Sequence, residues 1–65
     1  MKIIYTLYDY RIKANLSQRA LAQISGVGKS TIDRIENGTC RPTVEVICML
    51  AQALNCSPYD LFYVE

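Results

Sequence analysis

A chain of 65 residues is one domain and too short for a deep catalytic cleft, because a fold this small leaves roughly 40% of its unfolded surface exposed. Its 51% hydrophobic and 20% charged residues mark it as globular rather than disordered. The net charge of +1 conceals an asymmetry: from Arg11 to Arg41 six cations face Asp33 and Glu36, a balance of +4, while Lys2 against Asp9, Glu45, Asp60 and Glu65 leaves −3 elsewhere.

Five helices are expected, joined by short loops, with no alternating stretch long enough to demand a sheet, so the expectation is an all-α domain covering residues 1–65. The first is read from Ile4 to Ala14, with Ile3, Leu7, Tyr10 and Ala14 inward and Tyr5, Asp9 and Lys13 outward. Arg11 then falls beside Leu7 on the apolar side, where a cation needs an acidic partner. Ser17 can cap the second helix, whose buried stripe is Leu21, Ala22 and Ile24, and Ser25-Gly26-Val27-Gly28 ends it.

The third helix runs from about Lys29 to Asn37-Gly38, a pair suited to a left-handed helix end. Ile32 and Ile35 face in, and Ser30, Asp33, Arg34 and Asn37 form a wholly polar outer row, with Lys29 at the helix start. Pro42 delays the fourth helix to about Thr43, and Val44, Ile47, Leu50, Ala51 and Leu54 are placed inward along it. Asn55 is a stop signal, Ser57-Pro58 opens a short fifth helix to Phe62, and Tyr63-Val64-Glu65 forms a stub, ordered or frayed.

Leu16 to Gly38 resembles the helix-turn-helix of phage repressor and Cro-like regulators. The matching points are Ser17-Gln18, Leu21-Ala22, Gly26-Val27, Thr31-Ile32 and Ile35-Glu36-Asn37-Gly38, followed by Pro42, Ala53-Leu54 and Leu61. The resemblance implies a compact five-helix, lambda-repressor-like domain with helix-turn-helix at helices two and three, and a regulator of transcription, by family habit a repressor, that binds double-stranded DNA through its major groove. It puts Lys29, Ser30 and Arg34 at base-reading positions. Asp33 either accepts from a cytosine amino group or turns back toward Arg34 or Lys29. Gln18 takes a phosphate and steadies the entrance of the third helix, Asn37, Thr39 and Arg41 track a phosphate strand, and Arg19 is read as either a phosphate contact or a solvated charge. The resemblance also pairs Arg11 with Glu36 as a partly buried ion pair. Gly28 departs from the family pattern, which has Ser or Thr as the cap of the third helix.

On the fourth helix Val46, Met49 and Ala53 make an apolar stripe on the nominally outer side. With Phe62 and Tyr63 it is the expected contact of a homodimer that would set two recognition helices about 34 Å apart on a near-palindromic site. Other readings carry less. Gly28-Lys29-Ser30 ends like a phosphate loop, yet Gln23 stands where that motif needs glycine, and no strand is read before it. Cys40, Cys48 and Cys56 are odd in number, widely spaced and accompanied by no His, which argues against a zinc site and for a reducing cytoplasm. Cys48 and Cys56 are read as core fillers and Cys40 as exposed. No membrane span, cofactor or small-molecule site is expected, nor any catalytic set. The alternative function is a protein-interaction module of the same fold, an antitoxin-like partner or a transcription adaptor.

Overall fold

The computed structural model describes residues 1–65 as four α-helices, a 3₁₀ turn and a two-stranded antiparallel sheet made by the chain ends. In order these are β1 (Ile3–Tyr5), α1 (Leu7–Lys13), α2 (Gln18–Ser25), α3 (Lys29–Glu36), α4 (Val44–Ala53), the 3₁₀ turn (Pro58–Leu61) and β2 (Phe62–Val64). The expectation of five helices in an all-α domain is thereby corrected at both ends. Residues 3–5 are strand rather than helix, and the fifth helix is a single tight turn that feeds β2, the segment read as a stub.

The register explains the correction. Ile3 pairs with Val64, Ile4 with Tyr63 and Tyr5 with Phe62, so β-branched and aromatic residues satisfy their backbones across the two ends of the chain. Thr6 locks the junction: its N–H donates to the Leu61 carbonyl at 2.9 Å and its hydroxyl to the Asp60 carbonyl at 2.6 Å. Ser57 and Asp60 close a reciprocal capping box around the turn, with Pro58 at its start.

The core consists of Leu7, Leu21, Val27, Ile32, Ile35, Ile47, Leu50, Ala51 and Leu61, at least one from every helix and from the turn. Side chains at its margin depart from expectation in a consistent way. Tyr5 packs on the core instead of pointing out, whereas Ala14 is exposed and Ile24 is 59% exposed. On α4, Val44 faces solvent at 79% exposure, and Val46, Met49 and Ala53 are half-buried against the chain's own core rather than outward. That helix is apolar around more than half its circumference, so it fills the space between α2 on one flank and the 3₁₀ turn on the other. The dimer stripe read from Val46, Met49 and Ala53 is therefore an intramolecular contact; Cys48 on the same helix is exposed, and Cys40 is half-buried.

Candidate nucleic-acid interface

Two capped helices and a short turn build the interface. The Ser17 hydroxyl accepts from the Ala20 N–H at 3.0 Å and starts α2. Gly26 ends it in the left-handed region at φ 82°, with the Met49 Cε 3.5 Å from where a β-carbon would stand. Val27, buried, pins the turn to the core. Gly28 then caps α3 in an extended conformation without a side-chain oxygen, so the first amide N–H groups of α3 have no side chain to meet them. With Ile32 and Ile35 at 0% and 1% exposure, the inner face of α3 is fixed, and Lys29, Ser30, Arg34 and Asn37 are left in solvent on the other.

A hydrogen-bonded network ties that exposed row to α1 and α2. The Arg11 Nε donates to the Glu36 Oε2 at 2.7 Å and its Nη2 to Oε1 at 2.9 Å, a two-point ion pair with side chains only 10% and 6% exposed. A third bond, from the Arg11 Nη1 to the Leu16 carbonyl at 2.9 Å, reaches the α1–α2 connection, and the guanidinium lies 5.3 Å from the centre of the Tyr8 ring. The hydrogen bond to Glu36 raises the Arg11 pKa above its ordinary value against the opposing effect of burial, with the Glu36 charge adding to it.

From α2 the Gln18 Nε2 donates both to the Glu36 Oε1 at 3.0 Å and to the Asp33 Oδ1 at 3.2 Å. The other Asp33 oxygen accepts from the Asn37 Nδ2 at 3.2 Å. Five side chains from three helices are thus linked in one line, Arg11, Glu36, Gln18, Asp33 and Asn37. Sequence reasoning missed most of this line. The i, i+4 spacing of Asp33 and Asn37 was available as a signal, but the bridge from Gln18 needs the packing of α2 on α3.

Two placements differ from the sequence reading. Asp33 turns to Gln18 and Asn37, not to Arg34 or Lys29. Both N–H groups of the Gln18 amide are committed within the protein, so this side chain has no free donor for a phosphate, while the backbone N–H groups at the start of α2 remain. Arg34 lies back along its own helix, with Nε 3.3 Å from the Ser30 carbonyl and Nη2 3.4 Å from its hydroxyl. Arg19 is exposed in the first turn of α2; Thr39 and Arg41 are exposed in the loop after α3, where Thr39 donates through both N–H and hydroxyl to the Arg34 carbonyl. Phe62 is half-buried and tilted against Tyr59, their ring centres 6.3 Å apart, and Tyr63 is half-exposed on β2. No group of three or more potential ligands stands close enough to hold a metal ion, and no helix is long and apolar enough to cross a membrane.

This geometry, a buried-backed polar helix braced by a second helix across a glycine turn, is that of a helix-turn-helix domain. The chain belongs to the HTH_3 helix-turn-helix family, whose model matches residues 7–61. An uncharacterized HTH-type transcriptional regulator of Archaeoglobus fulgidus is 30% identical over 57 residues, which are 88% of this chain and 80% of the relative. Among solved structures, the restriction-modification controller protein C.AhdI of Aeromonas hydrophila superposes with a TM-score of 0.80 at 33% identity, over 83% of this chain and 82% of that one. An HTH_3 family transcriptional regulator from Vibrio cholerae gives a TM-score of 0.77 at 35% identity over 80% of this chain, which spans 29% of the Vibrio chain.

Proposed function

We propose that this chain, a DNA-binding transcriptional regulator, lays α3 in the major groove of duplex DNA and represses by occupying promoter sequence. Lys29, Ser30, Asp33 and Arg34 meet base edges, with Arg34 swinging off Ser30 to grip a guanine. Arg19, Asn37, Thr39 and Arg41, with the backbone amides at the start of α2, hold phosphates and set the register. The observation that carries this reading is the contrast across α3: two isoleucines sealed in the core behind a wholly polar row in which Lys29, Ser30, Arg34 and Asn37 are exposed and Asp33 partly so. A groove about 12 Å wide admits a helix so mounted.

The working form on this reading is a homodimer in the cytoplasm. A twofold pair on a near-palindromic site would set its two α3 helices about one DNA turn, roughly 34 Å, apart. The surface that supports such pairing lies where Val44 and Cys48 of α4, Tyr59 of the turn and Ile3 of β1 line an apolar groove of about 340 Å³.

Selection from a random duplex library tests the proposal. The expected result is one enriched, near-palindromic motif. Affinity should fall linearly in log salt: the two exposed cations placed on phosphates, Arg19 and Arg41, imply a slope of about −1.8 per protomer. Weak binding without sequence preference would refute it and leave a protein-interaction module. Sedimentation at 7.4 kDa, with and without the selected duplex, would refute the dimer alone.

A further inference from the structure

We infer that Asp33 is a specificity-determining residue, held by Gln18 and Asn37 as an acceptor-only edge that requires a cytosine amino group opposite it in the operator. The inference rests on the major-groove reading above and adds which base one position must carry.

The bonds to Asp33 define its chemistry. The carboxylate takes one amide N–H on each oxygen, from Gln18 on Oδ1 and from Asn37 on Oδ2, both at 3.2 Å. Two donors from opposite sides fix the plane of the group and leave each oxygen capacity to accept once more. Gln18 is itself anchored, because its second N–H is held by Glu36, which Arg11 holds in turn. The carboxylate is therefore mounted on α1 and α2 as well as on its own helix.

Nothing adjacent neutralises Asp33. Its two partners are neutral amides, Arg34 points to Ser30, and the ion pair of the region joins Arg11 to Glu36. In the major groove guanine presents N7 and O6 and thymine presents O4, all acceptors, and a charged carboxylate facing any of them is repelled. Adenine offers N6–H₂ but sets the N7 acceptor beside it. Cytosine N4–H₂ is a donor without that neighbour, and it satisfies the group in place of water. Gln18 acts here as a positioning residue, through Asp33.

The experiment measures relative affinity for the four base pairs at each position of the selected operator, for the wild type, Asp33→Ala, Asp33→Asn and Gln18→Met, with thermal stability followed in parallel. The wild type should favour cytosine by about tenfold or more at one position. Asp33→Ala should flatten that position alone. Asp33→Asn, which pairs with adenine N6 and N7, should move its preference toward adenine. Gln18→Met should reduce the cytosine preference while sparing the position read by Arg34, whereas a role only in stability would weaken all positions together. Asp33 variants that select the wild-type motif unchanged, or lose affinity equally at every position, overturn the inference with the DNA-reading function intact. A wild type that selects no motif overturns both.

Discussion

Removing Arg11 should unfold most of the protein at physiological temperature, and the geometry gives the size of the effect. The guanidinium supplies two bonds to Glu36 and one to the Leu16 carbonyl from a site where both charged side chains are at most a tenth exposed. In Arg11→Met the short Glu36 side chain cannot reach water and retains a single donor, Gln18. Stranding a buried charge in this way costs about 3–5 kcal/mol, comparable with everything that a core this small supplies. At about 4–8 °C per kcal/mol, the melting temperature should drop by at least about 12 °C. Glu36→Gln should cost less, since an amide oxygen still accepts and the longer arginine can swing its charge to solvent. The double variant Arg11→Met/Glu36→Leu should recover most of the loss, because two apolar side chains replace two buried charges. Denaturant melts of these proteins and of Glu36→Leu, which closes the cycle with the double variant, are followed by far-ultraviolet circular dichroism. An Arg11→Met variant within about 1 kcal/mol of the parent would refute the reasoning, and would mean that the pair is worth no more than a surface ion pair.

The remaining predictions concern the turn, the phosphate loop and the thiols. Gly26→Ala should destabilise by about 1–2 kcal/mol, since φ of 82° strains any L residue even though the new β-carbon meets the Met49 Cε at an ordinary contact distance, and thermal melts will show it. Arg41→Ala should weaken binding to all duplexes alike and make the salt slope shallower by about 1, as read in binding titrations from 50 to 200 mM salt. Alkylation should label exposed Cys48 first and Cys56 last, because burial, reinforced by the nearby Asp60 charge, pushes the Cys56 thiol up. A raised thiol pKa leaves stability unaffected below the ordinary range. Above about pH 8.5 the unfolded chain ionises first and stability declines, so Cys56→Ala should lose less of its melting temperature between pH 8 and 10 than the parent.

Helix ends were legible where a side chain or a special φ creates them. Ser17 and Thr43 cap α2 and α4 by accepting from the amide three residues on, Gly26 and Gly38 take positive φ, and Ser57-Pro58 starts the last turn. These are local devices, written within four residues of the place where they act. The strands escaped for the opposite reason. Ile3-Ile4-Tyr5 is too short to show alternation, it continues the helical spacing of Leu7 and Tyr10, and its partner lies near the far end of the chain. On α4 the difficulty was a lack of contrast: Val44, Val46, Ile47, Met49 and Leu50 are all apolar, so periodicity alone leaves the inner direction open by tens of degrees. That latitude sent Val44 inward and Val46 outward, the reverse of what is found.

In a chain of net charge +1, the part from Arg11 to Arg41 carries an excess of cations, of which Arg19, Lys29, Arg34 and Arg41 are exposed on α2, α3 and the loop after α3. Both carboxylates in this part belong to the network, and they are handled differently. Glu36 is withdrawn, buried and cancelled by Arg11, so it adds nothing to the field over α3. Asp33 stays half-exposed with only neutral amides for company, so its charge is not cancelled, merely fixed in position. If Asp33 had served only to cap the network, an asparagine would have accepted the Gln18 N–H equally well without repelling phosphates. On the proposed reading, a charge kept at that cost beside α3 would restrict where on the polyanion the helix can settle, and selective placement is what separates a regulator from a general DNA coat.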